Sequence, residues 1–159
     1  MSRILLLISL CCTACFPAYH AMHHSSGMNV FALRLSPGQD LRKELEAFTR
    51  SNNLQAGFII TCAGSLTRAV IRPANQQIPL IREGHFEIVS LTGTLSPDGP
   101  HLHIALSDST GYTFGGHLLD GNLVYTTAEI VTGEATGLRF TRETDPATRF
   151  KELSVKKRD

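Results

Sequence analysis

Three histidines are the residues of this chain best placed to do chemistry. Along His101-Leu102-His103-Ile104-Ala105-Leu106 the two-residue period of a β-strand sends Leu102, Ile104 and Leu106 to one face and His101, His103 and Ala105 to the other. The apolar face belongs to a core. On the opposite face the two histidines have Cα atoms roughly 6.5–7 Å apart, so both imidazoles can converge on one ion about 2 Å from each nitrogen. A third histidine, His117, follows the short apolar stretch Tyr112–Phe114 through Gly115-Gly116. A hairpin between the two segments returns it beside the pair.

Neutral imidazole suits Zn²⁺, with Ni²⁺, Co²⁺, Fe²⁺ and Cu²⁺ admissible on ligand type, and three protein ligands leave one position open for water or a carboxylate. A bare His-x-His is common among histidines that merely face water; the third histidine is what makes the set informative. Glu87 and Glu129 lie on strands before and after this hairpin. Either is a candidate catalytic residue, as a proton carrier or further ligand, if its side chain turns to the histidine face; a structural carboxylate is the plainer alternative. Asp108 and Asp120 sit in turns, where such side chains cap backbone amides. No phosphate-binding Walker loop and no strand-linked Gly-x-Gly-x-x-Gly occurs, and Ser65 lacks the glycine two residues on that a nucleophile elbow requires.

The elements that must position these groups can be read from the apolar pattern. Alternation predicts a strand over Asn29–Leu35, and Ser36-Pro37-Gly38-Gln39 breaks it. Asp40 then caps a helix through Ser51, with Leu41, Leu45 and Phe48 on one side. Ala56–Cys62 reads as a short strand, Ala63-Gly64-Ser65 as a turn into a second one over Leu66–Pro73, and Ala74–Glu83 as irregular loop. A strand from Phe86 to about Thr94, the turn Ser96-Pro97-Asp98-Gly99, the histidine strand, Tyr112–Phe114, Asn122–Val131 and Gly137–Arg142 complete the series. One amphipathic helix among many strands predicts an α+β fold, a single compact domain with a mainly antiparallel sheet.

The chain has 159 residues, enough for one cored domain. Its Lys and Arg number 15 against 14 Asp and Glu, so a net charge of +1 supplies no field that would gather nucleic acid or anionic membrane. Cys11, Cys12 and Cys15 cluster near the start and Cys62 stands alone in an apolar run. A disulfide framework within the domain is thereby excluded, and Cys62 reads as core. Residues 1–27 form a leader: the apolar run Ile4–Leu10 is signal-like, permitting export or lipid attachment at Cys15, whereas a start at Met22 or Met28 would make the protein cytoplasmic. The run is too short for a transmembrane helix. His20, His23 and His24 read as solvated leader residues. The domain proper spans about residues 28–145, and residues 146–159 read as a charged, fraying C-terminal tail.

Several blocks together resemble a family. Ala63-Gly64-Ser65-Leu66, Gly84–Gly93, Pro100-His101-Leu102-His103-Ile104, Phe114-Gly115-Gly116-His117-Leu118 and Val124–Glu129 occur in the order found in stand-alone prokaryotic members of the plants and prokaryotes conserved (PPC) domain family. The resemblance implies a compact fold assembling as a homotrimer, with a binding or regulatory role toward a protein partner or small-molecule ligand. Plant relatives attach an AT-hook that binds DNA; no Arg-Gly-Arg-Pro core appears here, which counts against DNA as a partner and leaves DNA binding as the second alternative. The fold group also resembles acetolactate decarboxylase, whose zinc is held by a His-x-His pair and a later histidine, an order His101, His103 and His117 match. That likeness implies a metal site and leaves a zinc-dependent lyase or hydrolase as the enzymatic alternative.

Overall fold

The computed structural model describes residues 24–158. Cys11, Cys12, Cys15, His20, His23 and the signal-like run lie outside the described residues. The elements are β1 (Met28–Leu35), α1 (Leu41–Ser51), β2 (Gly57–Arg72), β3 (Leu80–Leu95), β4 (His101–Ser107), β5 (Thr113–Leu118), β6 (Leu123–Ala135), β7 (Leu138–Thr144) and β8 (Lys151–Lys157). Six strands make one antiparallel sheet in the order β1-β6-β2-β3-β4-β5, while β7 and β8 form a separate hairpin. The expected α+β class, with one helix and a mainly antiparallel sheet, is what forms. Among the described residues no helix is long and apolar enough to cross a membrane.

The large sheet closes partly on itself. Beyond its pairing with β4, the end of β5 returns to β2 through Ile71↔Leu118 and Arg72↔His117. Closure gathers the alternating apolar residues of each strand into one interior, where Leu66, Ile71, Leu95, Leu102, Leu106 and Leu118 are fully buried. Helix α1 covers part of the same core with Leu41 and Leu45. Its start is fixed by Asp40, whose carboxylate accepts from the amides of Arg42 (3.1 Å), Lys43 (3.3 Å) and, across the fold, Gly121 (2.6 Å). Cys62 is buried as expected, and desolvation pushes its thiol up to about 12, well away from reactivity.

Three local expectations are corrected. Ala63-Gly64-Ser65 is no turn; β2 runs through it for 16 residues. Gly64 absorbs a register shift against β6 with a φ of 155°. A Cβ there would strike the Thr127 carbonyl, so the glycine that suggested a turn instead permits close strand approach. The expected loop at Ala74–Glu83 is shorter, because β3 already begins at Leu80 and pairs along β2. The stretch read as a fraying tail contains β8, paired with β7 from Leu138↔Lys157 to Thr144↔Lys151. Leu138 and Phe140 bury against Ala56, with Val155 packed beside them, and this small cluster roots the hairpin at the start of β2.

Asn122 ties the far end of β5 to β2. It is fully buried, accepts from the Val70 amide (2.9 Å) and donates to the carbonyls of Val70 (2.8 Å) and Leu119 (2.7 Å). Replacing it with Ala strands these buried backbone groups. Asn122→Ala should therefore lower the unfolding free energy by about 3 kcal/mol, read from urea denaturation; a loss within ~0.5 kcal/mol would mean that the clamp is not structural.

Candidate metal centre

Strand pairing brings the histidines together. His103 on β4 lies directly across from His117 on β5, and His101 is two residues up the same strand, opposite Thr94 of β3. His117 lies within β5, where the sequence placed it after the strand. Gly115 and Gly116 are likewise strand residues and do not relieve a turn. Side chains at these positions would collide with the carbonyl oxygens of Ile104 and Arg72, so β5 can sit between β4 and β2 only with glycine there. The row Thr92, His103, His117, Arg72 therefore crosses four strands.

The three rings form a triangle with centroid separations of 5.2, 5.1 and 5.5 Å. One ring nitrogen from each lies within 4.8 Å of the others. Tetrahedral ligation at about 2 Å sets nitrogens roughly 3.3 Å apart, a closure within reach of small ring rotations. Leu102, Ile104 and Leu106 are buried behind the triangle, as the alternation required. His101 and His117 are half-buried and His103 is exposed, which leaves an open side toward solvent. The Nδ1 atom of His117 is buried without a hydrogen-bond partner among the described residues. An unpartnered imidazole nitrogen on a ring clustered with two other imidazoles suits a transition-metal ion.

The surroundings favour the neutral rings of His117 and His101. Burial, then the cationic forms of His101, Arg72 and His103, hold His117 down to about 4. His101 is also lowered, first by burial and then by Arg142 and His103, with Glu152 pulling the other way. Two clefts flank the triangle. One, of about 260 Å³, is lined by Thr92, Thr94, His101, His103, Arg142 and Glu152; the other, of about 410 Å³, by Arg72, Asn75, His103, His117 and Phe150.

Neither carboxylate singled out in the sequence reaches this place. Glu87 is exposed on β3 opposite Ser107, four residues along β4 from His103 and so roughly 13 Å away along the strand. Glu129 is exposed on β6 beside Arg34 and Ala63, where it lines a different groove. Both fail for the same reason: a strand residue's reach is set by register, and neither shares a register row with the histidines. Asp108 does cap its turn, accepting from the amides of Thr110 (2.9 Å) and Tyr112 (3.1 Å), whereas Asp120 pairs with Arg42 at 2.6 Å. The carboxylate that does line the histidine cleft is Glu152, and the guanidinium touching the site is Arg142, 2.9 Å from His101 Nδ1. Arg142 ends the strand expected over Gly137–Arg142, whereas Glu152 comes from β8, in the stretch the sequence left as tail. The alternation of Leu153 and Val155, which the register sets opposite Arg142 and Phe140, was the available signal.

The family profile of the Plants and Prokaryotes Conserved (PCC) domain, the PPC family named above, matches residues 22–136. The chain belongs to the PCC domain family. Among solved structures, a hypothetical protein of Salmonella cholerae-suis (Salmonella enterica) is 42% identical with a TM-score of 0.84, covering 86% of this chain and 99% of its own. A metal-containing protein of Archaeoglobus fulgidus is 27% identical with a TM-score of 0.69, covering 84% of this chain and 98% of its own. The bifunctional protein GlmU of a Synechococcus strain is 48% identical over 133 residues, 84% of this chain but 21% of that protein. The chain thus spans about a fifth of the length of that relative.

In chelator-treated protein the site should make stability depend on pH. An unfolded histidine takes a proton near 6.5, the folded His117 near about 4. Between those values the unfolded chain binds more protons, so the contribution is complete above 6.5 and is lost as pH falls toward 4. Urea unfolding at about pH 7.5 and about pH 5 should show a smaller drop for His117→Asn than for wild type. Equal drops would show that His117 is protonated as readily folded as unfolded.

Proposed function

We propose that this PCC-domain protein is a binding or regulatory module built around a divalent transition-metal site held by His101, His103 and His117. The observation that carries the reading is the triangle itself: one nitrogen from each of three histidines within 4.8 Å of the others, with one of those rings holding a buried, unpartnered Nδ1. An all-imidazole set favours zinc, with the other late first-row ions as alternatives. When bound, such an ion supplies Lewis acidity and a position open to water or an anionic group. The chain's own residues contribute orientation and exclusion. Strand pairing aims the rings, the leucines and isoleucine behind them exclude water from one side, and the flanking clefts decide what approaches from the other. The A. fulgidus relative, a metal-containing protein, supports the assignment.

Elemental analysis of the full chain, prepared without a His-tag, should find about one metal per chain. His103→Ala should lose it, as should the His101/His103/His117 triple-alanine variant. Undiminished metal in His103→Ala would remove the reading.

Homotrimeric assembly belongs to the same proposal. Val30, Ile60, Val89 and Tyr125 are between 43% and 57% exposed on β1, β2, β3 and β6, large side chains that a second and third copy could cover. Sedimentation equilibrium should return three times the chain mass of 17.4 kDa; a monomer at micromolar concentration would sink the trimer and leave the metal site standing.

A further inference from the structure

The strongest feature outside the ligand triangle is the contact between His101 and the β7–β8 hairpin, which lies beyond the residues matched by the family profile. Arg142 of β7 is held at three points. Its backbone amide donates to Asp98 Oδ2 (2.9 Å), in the turn that leads into β4, and its Nη2 donates to the Lys151 carbonyl on β8 (2.6 Å). The other terminal guanidinium nitrogen, Nη1, lies 2.9 Å from His101 Nδ1. A guanidinium has donors and no acceptor. His101 Nδ1 must therefore present its lone pair to Arg142, and the single proton of the neutral ring must sit on Nε2.

That tautomer has a direct consequence for metal binding. If His101 ligates through Nδ1, the ion needs the lone pair that Arg142 occupies. If it ligates through Nε2, the ring proton must move to Nδ1, where it would point at an Arg142 N–H, donor against donor. Either route requires the guanidinium to withdraw. We infer that Arg142 is a positioning residue that sets the tautomer of His101 and competes with the metal ion for that ring, so that metal loading loosens the β7–β8 hairpin. This rests on the metal-site reading above and adds to it a built-in competitor. Loading would cost the hairpin its contact with β4, while the Leu138–Phe140 cluster keeps its other end rooted.

The experiment compares wild type with Arg142→Met, which keeps the aliphatic stem, and Arg142→Ala, using the full chain and Zn²⁺ or Co²⁺ in competition with a chromophoric chelator. Both variants should bind the ion more tightly, by about tenfold for the loss of one charge-assisted hydrogen bond. Two further readouts are ones a merely structural role would leave unmoved. In metal-free wild type the ¹⁵N shifts of His101 should report a proton on Nε2, and that preference should relax in Arg142→Met. Amide exchange at β7 and β8 should speed up on adding Zn²⁺ to wild type and be already fast, and insensitive to Zn²⁺, in the variant. Equal or weaker metal affinity in the variants, once thermal unfolding shows them folded, overturns the competition while leaving the metal centre intact. Metal taken up by neither wild type nor variant overturns the metal centre and the competition with it.

Discussion

The return of β5 to β2 is the constraint on which the site depends. Two backbone pairings, Ile71↔Leu118 and Arg72↔His117, convert an open antiparallel sheet into a partly closed one, and closure is what carries His117 between His103 and Arg72. Strand pairing fixes neighbours to within a few tenths of an ångström because interstrand spacing is set by hydrogen bonds, not by the side chains that ride on them. The histidines thus inherit the precision of the ladder. Histidines carried on loops would have to be ordered by their own contacts, at an entropic cost these three avoid.

Closure also explains the glycines. A sheet that curls this tightly brings backbone against backbone, and Gly115 and Gly116 face the carbonyls of Ile104 and Arg72 at separations no Cβ could share. Gly64 does the same on β2 against Thr127. Each of these glycines sits in a strand interior, where the residue is usually a weakness; here the lost side-chain packing is offset by the close approach it permits. Asn122 completes the device by supplying side-chain hydrogen bonds where the ladder between β5 and β2 ends.

Much of this was legible in the sequence. The alternation in His101–Leu106 placed the apolar face and the histidine face correctly, and Asp40 with Leu41 and Leu45 gave the helix start and its buried side. Legibility failed wherever a glycine served close approach, because composition alone does not distinguish a turn glycine from a strand glycine under a neighbouring backbone. It failed again at β8, whose Lys and Glu residues look like solvated tail until Val155 is set opposite Phe140, beside the buried Leu138. Glu87 and Glu129 were wrong candidates for a related reason. Nearness in sequence order says nothing about the register row a strand residue will occupy, and neither carboxylate shares a row with His103 or His101.

The site consequently has two parts of unequal rigidity. The histidine strands β4 and β5 belong to a core that runs through the six-stranded sheet and α1, with Leu102, Ile104, Leu106 and Leu118 buried within it. Arg142 and Glu152 belong to a two-stranded hairpin whose own buried contacts are Ala56, Leu138 and Phe140. Local opening is cheapest where the fewest apolar contacts are lost, and an isolated two-stranded ribbon is marginal without the surface it leans on. Where Arg142 and an ion cannot both satisfy His101, the ladder does not shift to accommodate them, since that would disturb the whole core. On the competition proposed above it is the hairpin side that yields, while the ladder holds the backbones of the three histidines in place.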